Sequence, residues 1–141
     1  MRKFILLIGL MAFVSSVFAQ LKELSQRELY EKVLNNYKHE GYIDYKGYGD
    51  DKPCVVLFFN QYCQYCKIME NNIAAVAPKY RKKINFYKVN VFKIDDYTIE
   101  RLEIQGVPTT LVKFSDGEWE IYPGVVTRQQ IAEMLEELID E

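Results

Sequence analysis

The sequence predicts an α/β domain: a mixed four-stranded sheet flanked by helices, with an extra N-terminal helix. Three observations predict it. The run Cys54 to Phe59 is apolar without alternation, as expected of a strand buried on both faces. A helical pattern links it to a second strand pattern at Ile84 to Val91, and a strand–helix–strand connection implies parallel pairing. Further on, two strand patterns flank Ser115-Asp116-Gly117, a hairpin signal that adds antiparallel strands.

The first nineteen residues do not read as part of that domain. Arg2 and Lys3 form a short positive start, Phe4 to Val14 is an apolar run, and Val17-Phe18-Ala19 offers small residues where a signal peptidase reads. A secretory signal peptide over residues 1–19, cleaved after Ala19, is expected, with one domain over 20–141. The apolar run is short for a membrane span, and Ser15 and Ser16 interrupt it.

Within the domain, Ser25-Gln26-Arg27-Glu28 has capping-box spacing, and Leu29, Val33 and Tyr37 repeat at helical intervals, predicting a helix over about 26–40 that stops at Gly41. Gly41 to Lys52 reads as loop, its tyrosines Tyr42, Tyr45 and Tyr48 covering the edge of the core. After the buried strand, Cys63 to about Val76 reads as helix, weakened by Asn71-Asn72 and broken at Pro78. Asp95 to about Ile104 forms a short helix that the pair Asp95-Asp96 caps. Thr109 to Phe114 and Glu118 to Tyr122 make the hairpin. Thr127-Arg128-Gln129-Gln130 caps a last amphipathic helix with Ile131, Met134, Leu135, Leu138 and Ile139 inward.

Composition bounds the function. The 141 residues are 49% apolar and 27% charged, which suits one soluble domain with its own core. The net charge is −2; removing Arg2 and Lys3 from the 18 basic residues leaves 16 against 20 acidic ones, a balance of −4. With no basic stripe, nucleic acid is not expected as a partner.

The chemistry centres on Cys63 and Cys66. Two cysteines two residues apart, where a buried strand meets a helix start, form a redox device. The unpaired N–H groups and partial positive charge of a helix N-terminus stabilise a thiolate and lower its pKa. Cys63 is therefore the expected attacking sulfur, and Cys66, one turn further in, the resolving one. Three cysteines in an exported chain do not make a purely structural disulfide framework. Cys54 reads as a small buried core thiol. Cys54 and the single histidine, His39, lack paired ligand spacing, so no metal is expected.

These residues carry a resemblance to the thioredoxin superfamily, from about Pro53 to Asp140. Cys63-Gln64-Tyr65-Cys66 follows a buried strand, Lys88 lies on the next strand, Gly106-Val107-Pro108-Thr109 precedes the hairpin, and Pro123-Gly124-Val125 precedes the last helix. The run Tyr65 to Glu70 further resembles exported members. The resemblance implies a thioredoxin-like fold, a cis Val107-Pro108 peptide facing the sulfurs, and substrate contacts at Tyr62, Gln64, Tyr65, Val107 and Pro108.

The chain also departs from the pattern. Tyr62 stands where thioredoxins carry tryptophan, and Gln64-Tyr65 replaces Gly-Pro. The family's buried aspartate aligns with Leu57, so Lys88 is expected to have lost its acid partner. A helix-kinking proline is missing near Asn71.

The expected function is exported, periplasmic thiol:disulfide exchange on protein thiols and disulfides. It needs no cofactor, because the dithiol is the redox group. A reducing or exchanging direction, fed by a membrane electron donor or acceptor, is favoured, and the family implies a monomer. The alternative is a binding or carrier module that has kept the fold, holding one partner such as an apocytochrome or a sulfur-carrying protein. A peroxide-reducing enzyme ranks below both, since Cys63 lacks arginine-supported surroundings.

Overall fold

The structure is a computed structural model, which describes residues 21–34 and 52–140. The leader, the tyrosine-bearing loop, His39 and the distal part of the first expected helix lie outside the described residues.

The described residues form a five-stranded sheet in the order β1-β3-β2-β4-β5. Its members are β1 (Lys22–Glu23), β2 (Cys54–Phe59), β3 (Asn85–Asn90), β4 (Thr109–Lys113) and β5 (Trp119–Pro123). β2 lies in the middle, parallel to β3 and antiparallel to β4, and β4 and β5 form the hairpin. The four expected strands are present with the expected directions. The fifth, β1, runs parallel to β3. Lys22 and Glu23 have no strand signal of their own. They are held because the Leu24 N–H donates to the Lys88 carbonyl at 2.9 Å and because Leu21 and Leu24 are both buried. Leu21 enters the core on one face of the sheet and Leu24 the core on the other.

The two cores follow from alternation along β2. Val55 and Leu57 pack with Met69 and Ile73 on one face, while Cys54, Val56 and Phe58 pack with Leu29 and Val33 on the other. Helices α2 (Gln64–Val76) and α4 (Arg128–Asp140) supply the first core; α1 (Gln26–Lys32) and the residues flanking α3 (Asp96–Arg101) supply the second. Both faces of β2 are thus covered, which is why its sequence shows no polar alternation.

The caps match the reading. Ser25 and Glu28 form a full capping box on α1. Asp95 caps α3 by accepting the Thr98 N–H at 2.8 Å, and the Thr98 hydrogen bonds hold its carboxyl below the usual range. Gln26 bonds Asp95 through side chain and backbone, joining the starts of α1 and α3. Thr127 and Gln130 close the start of α4. In the hairpin, Gly117 takes φ +94°, a conformation open to glycine.

One helix, α1, is shorter than expected, and α2 spans its expected length. α1 ends at Lys32 rather than running to about residue 40. The Leu34 N–H bonds back to Leu29, and the buried Lys113 ammonium donates to the Val33 carbonyl at 2.7 Å, taking an acceptor that a further helical turn would use. α2 runs unbroken through Asn71 and Asn72. The Asn72 amide donates to the Val126 carbonyl at 3.0 Å and so ties α2 to the approach to α4. The break at Pro78 is present as a 3₁₀ turn over Ala77–Lys79.

Candidate active site

The site is built at the C-terminal end of β2. Beyond Phe59 the chain turns on Asn60, whose side-chain oxygen accepts the Tyr62 N–H at 2.9 Å. The Asn90 amide, at the end of β3, donates to Gln61 at 3.2 Å and pins the turn to the sheet. Cys63 is then the N-cap of α2. Its backbone is extended, and its sulfur accepts the Cys66 N–H at 3.1 Å. Cys63 and Cys66 are joined as a disulfide, with their Cα atoms 5.2 Å apart.

The two sulfurs have different surroundings. Cys63 is partly exposed, whereas Cys66 is 2% exposed. A cap sulfur that accepts a helix N–H is stabilised as the anion by that bond and by the helix dipole. The first turn of α2 holds no acidic residue to oppose this. The arrangement thus provides one accessible sulfur at the helix cap and one sheltered sulfur bonded to it.

The Val107–Pro108 peptide is cis, as the family resemblance implies. Phe58 pairs with Thr109, so Pro108 reaches the end of the sheet where the Cys63 turn lies. The Thr109 hydroxyl donates to the Gly106 carbonyl at 2.6 Å, and the Gly124 N–H donates to the Pro108 carbonyl at 2.9 Å. Gly124 has φ +81°, which this close return of the chain demands. A groove of about 910 Å³ opens there, lined by Ile104, Val107, Pro108, Ile121 and Pro123, with Glu100 and Glu103 among its acidic groups. Val107 is half-buried and Pro108 buried, whereas Gln64 is exposed.

Aromatic surface surrounds the sulfurs. Tyr62 is 80% and Tyr65 66% exposed. Phe92, which the sequence reading did not single out, is also exposed and sets its ring 6.2 Å from that of Tyr62. Phe92 lies past the end of β3 with no periodic partner, so only the fold reveals the pairing.

Beneath α2 the expectation for Lys88 is corrected. Lys88 does have an acid partner: its ammonium lies 2.8 Å from the Glu70 carboxylate, which comes from α2 and not from the sheet. Lys88 also sits 5.1 Å from the centre of the Phe59 ring. Across the sheet, Leu57 pairs with Lys88 on one side and Thr110 on the other, placing the three on one face. Leu57 is fully buried, and the buried Thr110 hydroxyl finds no hydrogen-bond partner among the described residues. An unmade buried hydroxyl is costly, so Thr110→Val is expected to raise unfolding stability by about 1 kcal/mol. A urea midpoint at or below that of the wild type would contradict this.

The thioredoxin family model matches residues 30–137. The chain belongs to the thioredoxin family. It is 28% identical over 101 residues to the thioredoxin of Borreliella burgdorferi, covering 72% of this chain and 82% of that protein. It is 30% identical over 87 residues to the thioredoxin of Pseudomonas aeruginosa, covering 61% of this chain and 79% of that one. Among solved structures, chloroplastic thioredoxin z aligns with TM-score 0.68 at 19% identity, covering 86% of this chain and 96% of that one, a likeness of fold. Thioredoxin membership brings thiol–disulfide oxidoreductase chemistry on protein thiols and disulfides in general.

Within this thioredoxin fold, Cys54 stands apart from the pair. It is a free, buried thiol, pushed up to about 12 by desolvation against a smaller opposing effect of Lys113. At pH 8 it is protonated and enclosed. Iodoacetamide applied to the reduced native protein should therefore leave Cys54 unmodified until denaturant is added, as peptide mass mapping would register. Among the described residues no group of three histidine, cysteine or acidic side chains is placed to hold a metal ion, and no helix is long and apolar enough to cross a membrane.

Proposed function

We propose that this thioredoxin is an exported thiol:disulfide oxidoreductase that reduces or exchanges protein disulfides. Cys63 is the nucleophile and Cys66 the resolving thiol. The observation that carries this reading is the Cys63 sulfur capping α2, bonded to the Cys66 N–H, with Cys66 sheltered behind it. Tyr62, Gln64 and Tyr65 form the exposed surround that meets a substrate, and Val107 and Pro108 the adjoining turn against which an extended segment lies.

The charged start, apolar run and small residues ending at Ala19 support export to a periplasmic-type compartment. There a reducing protein needs its own electron supply, which a membrane donor would provide to a monomeric domain. The test is the redox equilibrium of Cys63/Cys66 against glutathione. A reduction potential near about −270 mV fits a reductant, whereas one near about −120 mV marks a disulfide donor and reverses the direction.

The groove beside Val107–Pro108 favours a second reading, a carrier module for one partner such as an apocytochrome or a sulfur-carrying protein. Turnover on unrelated protein disulfides separates the two: an oxidoreductase cycles through them, whereas a carrier captures one protein and barely turns over.

A further inference from the structure

We propose that Glu70, held by Lys88, is the base that takes the proton from Cys66. The proposal rests on the assignment of Cys63 as nucleophile and Cys66 as resolving thiol, and it names the group that assignment leaves unspecified.

The need for a base follows from burial. Cys66 is 2% exposed, and a buried thiol resists ionisation because its anion loses hydration. Yet it is the thiolate that attacks. Leu57, which packs against Met69 and Ile73 of α2, is apolar, and the Thr110 hydroxyl beside it is no base near neutral pH.

Glu70 is four residues beyond Cys66 on α2, and side chains at that spacing share a helix face, with Cβ atoms about 5–6 Å apart. Helical side chains also lean toward the N-terminus, so Glu70 inclines over the turn that holds Cys66. It is the single acidic residue of α2. Lys88 fixes its carboxylate at 2.8 Å, and the side chain keeps 23% exposure, enough to pass a proton on to water.

Several other charged groups on the surrounding elements are engaged elsewhere. On β1, Glu23 pairs with Lys93. On α4, Arg128 bonds Asn72, Glu133 bonds Gln129, and Glu136 bonds Tyr80 and Lys79, while Glu137 acts on Tyr122. On β5 the Tyr122 hydroxyl donates to Glu120, and Lys67, on α2 itself, is exposed.

The steps balance. The Cys63 thiolate attacks one sulfur of a substrate disulfide; the Cys63–substrate bond forms, the substrate S–S bond breaks, and the first substrate sulfur leaves as thiolate. Cys66 gives its proton to a Glu70 oxygen. The Cys66 thiolate attacks the Cys63 sulfur, forming the Cys63–Cys66 bond and releasing the second substrate sulfur as thiolate. Two electrons pass from the dithiol to the substrate, and Glu70 returns its proton to solvent.

The test uses the reduced protein and 5,5′-dithiobis(2-nitrobenzoate) in stopped flow. Attack by Cys63 releases one coloured thiolate and resolution by Cys66 releases the second. Glu70→Gln is expected to slow the second phase at pH 7 by about tenfold to a hundredfold, the lower part of what general-base catalysis supplies and below it. The deficit should shrink as pH rises and Cys66 ionises without help, and Glu70→Asp should restore part of the rate. Because Glu70→Gln leaves the Lys88 charge uncompensated, the double variant Glu70→Gln/Lys88→Gln is included; it too should show a second phase slowed to a similar degree. A second phase at the wild-type rate and pH profile, or a faster one, in both variants would overturn the proposal. If Cys66→Ser still releases a second thiolate at the wild-type rate, the resolving assignment itself falls, and the role of Glu70 with it.

Discussion

Cys63→Ser is expected to lower insulin-disulfide reduction by about three orders of magnitude or more, since a serine hydroxyl has no thiolate to offer and nothing else replaces the attacking sulfur. Cys66→Ser should behave differently. It retains the cap sulfur and can still attack, but the adduct cannot be resolved, so mixed disulfides accumulate and turnover stops. Non-reducing electrophoresis against a cysteine-bearing substrate distinguishes the two: a stable adduct for Cys66→Ser and none for Cys63→Ser. The asymmetry comes from position. Cys63 stands partly exposed at the cap of α2, whereas Cys66 is enclosed one turn below. Full activity in the Cys63 variant would dismiss the mechanism.

Phe58→Ala is expected to destabilise the fold by about 3–5 kcal/mol. Phe58 is fully buried, lies on the central strand, and is paired with Val89 on one side and Thr109 on the other. Truncation would leave a void in the core shared with Leu29 and Leu111. Against a total stability of roughly 5–15 kcal/mol, that is a large share. Urea unfolding followed by circular dichroism measures it, and a loss below about 1 kcal/mol would mean that the core closes around the gap. Because Phe58 directly precedes the approach to Asn60 and Cys63, loosening it should also disturb the cap geometry.

What the sequence makes legible here is local. The apolar run through Phe58, the capping boxes at Ser25 and Thr127, and the Ser115-Asp116-Gly117 turn each announce an element through residues a few positions apart. The Cys63–Cys66 spacing is of the same kind, and so is the cis proline loop once the family pattern is seen. The misses share a different character. Lys22–Glu23 becomes a strand only because β3 offers backbone partners and two leucines anchor it from opposite faces. The end of α1 is decided by Lys113, a residue 80 positions away from Val33. Lys88 finds Glu70 across 18 residues, through the packing of α2 on the sheet, and no periodicity encodes that meeting. With Leu57 in the sheet where the family carries an acid, the carboxylate that meets Lys88 comes from the helix above it.

The short β1 has a consequence for the company this sheet can keep. The exposed backbone of an edge strand is a template on which another chain can assemble. At one border, Lys22 and Glu23 occupy the backbone positions beside Tyr87 and Lys88 in the middle of β3, so an incoming strand would meet a charged two-residue plug instead of a continuous row of free groups. At the other, β5 carries Glu120 and closes with Pro123, which has no N–H to share. Both margins are therefore poor seeds for intermolecular β-assembly, a protection against cross-strand aggregation that two unremarkable charged residues help to provide.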